Sequence, residues 1–260
     1  MSYSLFSDYQ SPEFRAGAVK PFECLNQGWS LVKDQCFLFA GLCLIIIVLA
    51  CCVPFAGLIW GAWMCGIFAA LLGRMRGQSA SFNDLSKGFQ RFSPAFVVTL
   101  LSGLFFLPVP IGIKLLEMRL DEIERNYPGL EPMPDEVVLQ TIGFISGLVL
   151  LYVIAFLITG VIFAFAYQLV VDKNLSGWEA TKLSARAARE NLGGVIGLLL
   201  LELAISTLGI MMCCFGLVLV MPLTRASWAT AYAKVFLPTP EPMPPPQPPP
   251  PPVFYGNART

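Results

Sequence analysis

The sequence predicts an all-α membrane protein with six transmembrane helices in three hairpins, each hairpin preceded by a cytoplasmic interfacial amphipathic helix. The chain is 56% hydrophobic and only 13% charged, whereas soluble domains carry about 25% charged residues. Several stretches of roughly 20 residues contain no charge, and this length is needed to cross about 30 Å of hydrocarbon. The charged residues are concentrated in the segments between these stretches, which separates predicted spans from predicted loops.

The membrane domain is predicted to cover residues 21–236, after a polar N-terminal segment, 1–20. Residues 237–260 form a proline-rich tail, and such a composition favours extended polyproline II structure within a disordered segment. A segment of this kind also suits a partner domain with an aromatic groove. The six spans are predicted at about 36–52, 55–72, 94–113, 141–171, 192–208 and 213–232.

The plan of an amphipathic helix followed by a hairpin occurs three times in parallel order, which suggests an internal repeat. The first such helix covers residues 21–34, the second begins near Phe82 and the third near Trp178, after a capping pattern of Ser176 and Glu179. Each basic side chain next to anionic lipid contributes about 1 kcal/mol to binding. We expect these basic residues to contact lipid headgroups or to set the topology: Lys87, Arg91, Lys182, Arg186 and Arg189.

Two spans are not straightforward. Pro108 and Pro110 must kink or interrupt the third span, because proline breaks the hydrogen bonding of a helix interior. The apolar run at 137–171 is longer than a span needs, so one tilted span and a hairpin broken at Thr159 and Gly160 are both open. A hairpin would place the basic segment that follows on the outer side, and this favours one span.

Lysine and arginine concentrate in the cytoplasmic loops of membrane proteins. Segments 73–93 and 173–191 are basic, and six spans place both on the same side as the termini. The opposite side receives the acidic outer loop 114–136, with three basic and seven acidic residues. The pattern predicts a multi-pass protein of the inner (plasma) membrane with both termini cytoplasmic.

The absence of histidine is the main argument against an enzyme. It excludes a Ser-His-Asp triad and histidine metal ligands, and the chain has no nucleophile elbow or phosphate-binding loop. The eight cysteines fit no metal-binding spacing. We therefore predict no catalytic residue, no metal, no cofactor and no nucleic-acid partner.

Glu202 is the one candidate functional residue predicted well inside a span. A carboxylate there is costly unless it is protonated or paired, so it is a functional candidate by default. It is either a proton or cation site or a neutral acid that bonds to Thr159, Ser146 or Ser206 on a neighbouring helix. We predict no basic partner at the same depth.

Other small and soft residues suggest packing. The pairs Cys51–Cys52 and Cys213–Cys214 fall at predicted outer turns, where metal or redox chemistry is the less favoured alternative to packing. Glycines at four-residue spacing allow helices to approach closely, with a homodimer seam as the alternative. These pairs are Gly57 and Gly61, Gly143 and Gly147, and Gly193 and Gly197.

Three segments carry a resemblance to a bacterial family: DLSKGFQRF, VVDKNLSGWEATKLSARAARENLGG and CCFGLVLVMPLTRASWATAYAKVF. Together they resemble, over residues 20–236, the membrane domain fused to glycerophosphoryl diester phosphodiesterases and its stand-alone, uncharacterised relatives. The resemblance implies a helical membrane module. The phosphodiesterase chemistry of the fused members lies in a separate barrel domain with histidines and metal-binding carboxylates, so it is not implied for this chain. The acidic stretch 114–136 resembles an insertion.

Two functions are consistent with these patterns. The first is a non-enzymatic membrane module that organises lipids or partner proteins, the latter through the proline-rich tail, with a homo-oligomer as an option. The second is a small transporter or channel with a proton or cation site at Glu202.

Overall fold

The computed structural model describes residues 14–52, 56–128, 134–212 and 215–237. Within these ranges the chain is all-helical and has no strand, so the predicted all-α class is confirmed. Short 3-10 turns at Lys33–Gln35 and Gly88–Arg91 precede α2 and α5. The helices are α1 Pro21–Val32, α2 Cys36–Cys52, α3 Ala56–Met75, α4 Asp84–Lys87, α5 Phe92–Leu104, α6 Pro108–Asn126, α7 Asp135–Ile162, α8 Ala166–Asp172, α9 Gly177–Glu190, α10 Leu192–Met211 and α11 Phe215–Phe236.

Three helical segments are long and apolar enough to cross a membrane, namely Pro21–Leu49, Asp135–Asp172 and Leu192–Met211. A fourth arises if the bent pair of Asp84–Leu104 and Pro108–Asn126 acts as one broken span. In each of these three segments, only 22–33% of the most apolar 18-residue stretch is buried inside the protein. The remaining apolar surface faces outward, as it does in helices that contact lipid.

Among the long helices, α3 and α11 have the largest share of buried residues, as far as the structure describes them. Side chains such as Leu71 on α3 and Tyr232 on α11 are fully buried. Helix α11 packs against α1, α2, α3 and α10. Its contact with α1 is close because Gly28 has no side chain, and a Cβ there would lie 2.7 Å from the backbone nitrogen of Ser227.

The predicted amphipathic helices differ in regularity. Helices α1 and α9 are continuous, and Ser176 and Glu179 form the predicted capping box with reciprocal hydrogen bonds. The segment after Phe82 is instead one α-helical turn followed by a 3-10 turn. It is held against α3, where a Cβ on Gly88 would meet the carbonyl oxygen of Ala62.

The acidic segment 114–136, predicted as a loop, is helical over its first half. Residues 114–126 are helical because α6 continues to Asn126, and an exposed ion pair of Lys114 with Glu117 at 2.8 Å lies along it. Pairs at this spacing stabilise a helix. The break between α5 and α6 precedes Pro108, which occupies the first turn of α6, where the missing N–H is tolerated.

The long apolar run forms α7 and α8, with a short turn at Phe163 just after the predicted break at Thr159 and Gly160. The two helices together make one 38-residue candidate span. The described residues therefore contain one candidate here, whereas the hairpin alternative would need two.

Hydrogen bonds and ion pairs connect the ends of several helices at one end of the fold. The Ala18 backbone N–H donates to Asn191 Oδ1 at 2.8 Å, and Lys234 pairs with Glu23 at 2.9 Å. Arg74 pairs with Asp34 at 3.6 Å, and Arg76 pairs with Asp172. We call this set the charged end: Ala18, Glu23, Asp34, Arg74, Arg76, Asp172, Asn191 and Lys234.

Candidate functional site

Glu202 lies on α10 and faces α11. Its carboxylate forms an ion pair with Arg225, and it accepts a hydrogen bond of 2.7 Å from the indole N–H of Trp228. Arg225 and Trp228 are three residues apart, so both reach the same side of α11. Consecutive helices α10 and α11 pack against each other along this side.

This ion pair corrects the expectation that Glu202 has no basic partner at its depth. None of the neighbours proposed from the sequence bonds to it among the described residues, and the Ser146 hydroxyl donates to the Ile142 carbonyl at 2.8 Å instead. The side chains of Glu202 and Arg225 are only 13% and 26% exposed. Because desolvation opposes the attraction, such a pair adds little net stability, but removal of one partner is costly.

A cavity of about 360 Å³ lies beside the ion pair. Helices α3, α5, α7, α8, α10 and α11 all contribute to its wall. Much of the lining is aromatic, from Trp60, Phe68, Phe106, Phe156, Phe163 and Trp228. The volume falls at the lower end of the range of small-molecule sites, which are mostly apolar with a few polar groups.

Four buried polar atoms on the cavity-lining residues have no hydrogen-bond partner among the described residues. They are the hydroxyl of Thr159, both amide atoms of Gln168 and Nε of Arg225. Gln168 is the most enclosed of the three residues, at 1% exposure. Each unpaired buried group costs about 1–3 kcal/mol. Their concentration around one cavity is typical of a binding site for a polar group.

The sequence reasoning missed Gln168, although a signal was present. It is the only amide side chain between residues 141 and 171, in an otherwise apolar run. The neighbouring Tyr167 has a partner, because its hydroxyl lies 3.2 Å from Oγ1 of Thr99. Thr159, named earlier as a partner of Glu202, lines the same cavity as the carboxylate without bonding to it.

The predicted lipid contacts fall into two groups. Lys182, Arg186 and Arg189 are exposed on α9 and form no ion pair within the described part of the chain. Lys87 already pairs with Asp84 at 2.5 Å. Arg91 lies half-buried on the 3-10 turn that precedes α5.

An apolar cleft lies beside Trp178 at the start of α9. Its volume is about 410 Å³, and α5, α7 and α9 all contribute residues to it, including Leu104, Ile162 and Trp178. Trp178 also stacks with a cation, since Lys182 Nζ lies 4.9 Å from the centroid of its ring. This side of the protein therefore combines exposed cations, an exposed indole and an apolar cleft. We call Trp178, Lys182, Arg186 and Arg189 the basic face of α9.

Of the glycines predicted to allow close packing, two do so. A Cβ on Gly61 would lie 2.3 Å from Thr99 Oγ1, and a Cβ on Gly197 would lie 2.7 Å from Pro21 Cγ. For their counterparts Gly57 and Gly193, and for Gly143 and Gly147, no atom of the described residues lies near enough to contact a Cβ.

The cysteine pairs and the tail are described by the structure only in part or not at all. Cys213 and Cys214 lie outside the described residues, as does the proline-rich tail. Within the described ranges no three histidine, cysteine or acidic side chains come close enough to hold a metal ion. Searches of known protein families, curated proteins and solved structures find no match to this chain. The resemblance to the phosphodiesterase-associated membrane domain therefore stays a prediction.

Proposed function

We propose that this chain is a non-enzymatic, multi-pass protein of the inner (plasma) membrane that binds anionic lipid headgroups through the basic face of α9 and so organises lipids or partner proteins around it. The observation that carries the proposal is the exposed set of Lys182, Arg186 and Arg189 beside Trp178. Cations on an amphipathic helix attract anionic headgroups, and an indole favours the boundary between water and hydrocarbon.

The spacing of these side chains supports a single lipid-facing surface. Residues 178, 182, 186 and 189 follow one another at intervals of three or four, so they lie on one side of α9. The opposite side is buried, including Ala180, Ala187 and Ala188. The apolar cleft at Trp178 provides room for an acyl chain below the headgroup.

The location and the six spans are part of the proposal, and the charged end supports them. The chain leaves this end at the start of α2 and returns to it at the end of α3. It leaves again after Arg76 and returns at the end of α8, and it leaves a third time at the start of α10 and returns at the end of α11. It must cross the membrane an even number of times on each excursion. Candidate spans cover α2, α7 and α10, and the bent pair α5–α6 is a fourth. We propose that α3 and α11 complete the three excursions. The basic residues of the charged end favour the cytoplasmic side for both termini.

A transporter or channel is the second candidate, and the cavity beside Glu202 favours it. A coupling carboxylate must exchange its proton, whereas Glu202 is held by both Arg225 and Trp228. Proton transfer would therefore require the ion pair to open in each cycle. Glu202→Gln separates the functions, because a coupled transporter would lose transport and a lipid-binding module would keep its lipid.

Partner recognition through the proline-rich tail extends the same proposal. Proline-rich segments bind aromatic grooves at low entropic cost, because their extended conformation is largely preformed. The resemblance to a membrane domain that occurs fused to other domains also fits a module that positions a partner. Self-association of the module is open, and native mass spectrometry of the purified protein measures it directly.

The test is lipid binding by the full-length protein in detergent, titrated with phosphatidylglycerol and with phosphatidylcholine. The variant with Lys182→Gln, Arg186→Gln and Arg189→Gln should lose about a hundredfold in affinity for phosphatidylglycerol, from about 1 kcal/mol per cation. The matched control replaces three basic residues of α6 with glutamine, at Lys114, Arg119 and Arg125.

The comparison of the two triple variants decides the outcome. The control should bind phosphatidylglycerol like the unmodified protein, and added salt should weaken binding because exposed charges are screened. Equal affinity for both lipids, or equal losses in both triple variants, would overturn the proposed function.

A further inference from the structure

We infer that the cavity beside the Glu202–Arg225 pair binds an uncharged amphiphile whose head carries hydroxyl and carbonyl groups. This site lies inside the helical domain and is separate from the basic face of α9, so it goes beyond the proposed function. The inference rests on Gln168, which lines the cavity, is 1% exposed and has neither amide atom bonded within the described residues.

The charge of the site points to an uncharged head. Arg225 supplies the cation of the cavity wall, and the Glu202 carboxylate neutralises it. An anionic head would have to displace Glu202 from Arg225 and leave that carboxylate in an apolar wall, which is costly. A cationic head would face the guanidinium. A neutral head avoids both conflicts.

The unpartnered atoms define which groups that head must carry. Arg225 Nε and the Gln168 amide nitrogen are donors, so they need acceptors such as carbonyl oxygens. The Gln168 amide oxygen is an acceptor and needs a donor such as a hydroxyl. The Thr159 hydroxyl can serve either role. A head with both hydroxyl and ester carbonyl groups offers all three residues partners of the required kind.

The remainder of the cavity suits hydrocarbon. Its aromatic side chains, such as Phe106 and Phe156, offer apolar contacts to the first part of an acyl chain. The cavity volume of about 360 Å³ is many times the volume of a single water molecule. A diacylglycerol carries this chemistry within the membrane, and free glycerol carries the hydroxyl groups without the chains.

The experiment uses the full-length protein in detergent, with dioleoylglycerol, dioleoylphosphatidic acid and free glycerol as three probes. Bound dioleoylglycerol should raise the unfolding temperature, because a ligand stabilises the folded state that it binds. Dioleoylphosphatidic acid, which has the same chains and an anionic head, should raise it much less. A rise with dioleoylglycerol alone supports the inferred amphiphile, whereas an equal rise with low glycerol concentrations would overturn it and indicate a free polyol.

Gln168→Leu tests the polar wall. The variant keeps similar bulk and removes the two unpartnered amide atoms, so the protein without probe should be as stable as the unmodified chain or more so. Its affinity for dioleoylglycerol should fall about tenfold. Thr159→Val should act in the same direction, since it removes a hydroxyl at nearly constant shape. The matched control, Gln27→Leu, changes an exposed glutamine of α1 and should leave the affinity unchanged.

Three further results would overturn the inference. The first is no shift with either dioleoylglycerol or glycerol, which would mean that the cavity holds water only. The second is an equal shift with dioleoylphosphatidic acid, which would mean that charge does not matter there. The third is an unchanged dioleoylglycerol affinity in Gln168→Leu, which would place the ligand elsewhere.

Discussion

The hydroxyl of Tyr232 on α11 donates a hydrogen bond of 2.6 Å to Asp172 at the end of α8. The same carboxylate pairs with Arg76 beyond α3, and the Asp172 side chain is only 4% exposed. Three distant parts of the chain therefore meet at one buried carboxylate. Buried charges need such partners, because an isolated carboxylate would lose its hydration without compensation.

Tyr232→Phe should lower the free energy of unfolding by about 1.5–3 kcal/mol, the usual contribution of a hydrogen bond to a charged group. Denaturant unfolding in detergent measures this difference. Tyr152→Phe is the matched control, because Tyr152 is half-exposed and forms no hydrogen bond among the described residues. Equal losses in the two variants would contradict the role of the Asp172 contact.

Glu202→Gln should destabilise the protein by about 2 kcal/mol, because it leaves Arg225 without its counter-charge. This loss is smaller than that expected for a fully buried ion pair, since both side chains are partly exposed. Arg225→Met should cost a similar amount. The double variant, Glu202→Gln with Arg225→Met, should lose less than the two single losses combined, because no charge is left unpaired. Unfolding free energies for the four proteins complete the cycle. Strictly additive losses would mean that the two side chains do not interact.

Gly61→Ala should destabilise the protein by about 1–3 kcal/mol, because a Cβ there would lie 2.5 Å from the Ala95 carbonyl oxygen and force α3 away from α5. Gly147→Ala is the control, since a Cβ on this glycine of α7 would contact none of the residues that the structure describes. It should be neutral or stabilising by up to about 1 kcal/mol, because alanine favours helix. Thermal unfolding ranks the two variants, and the reverse order would refute the close α3–α5 packing.

A topology prediction follows from the charged end. A short epitope inserted at Asn174, in the turn between α8 and α9, should be accessible only from the cytoplasm. One inserted after Tyr127, at the end of α6, should be accessible only from outside. Labelling of intact and permeabilised cells distinguishes the two. Labelling of the Asn174 insertion in intact cells would contradict the six-span arrangement.

Local patterns predicted local structure well. The expected span at 36–52 coincides with α2, and the capping box at Ser176 is present, because both depend on residues close together in the chain. The short, irregular helix after Phe82 is harder to predict, because Gly88 in this segment packs against the distant helix α3. Contacts between distant residues decide such cases.

The site was predicted only in part for the same reason. Glu202 stands out in the sequence because it is charged within an apolar run, but its partner depends on how two helices align. Glu202 lies nine residues before the end of α10 and Arg225 ten residues after the start of α11, so an antiparallel pair sets them side by side. The positions of the two residues along their helices therefore indicate the ion pair from the sequence. The cavity and the unbonded amide of Gln168 depend on six helices, and no short pattern predicts them.

The position of Arg225 midway along α11 has a consequence for biosynthesis. An arginine in the middle of a helix adds about 2.5–3.5 kcal/mol to the free energy of translocon-mediated insertion. Helix α10 carries the carboxylate that offsets this charge. In the proposed six-span arrangement we therefore expect the last two helices to enter the bilayer as a unit, and a nascent chain that ends at Met212 would leave Glu202 without its partner.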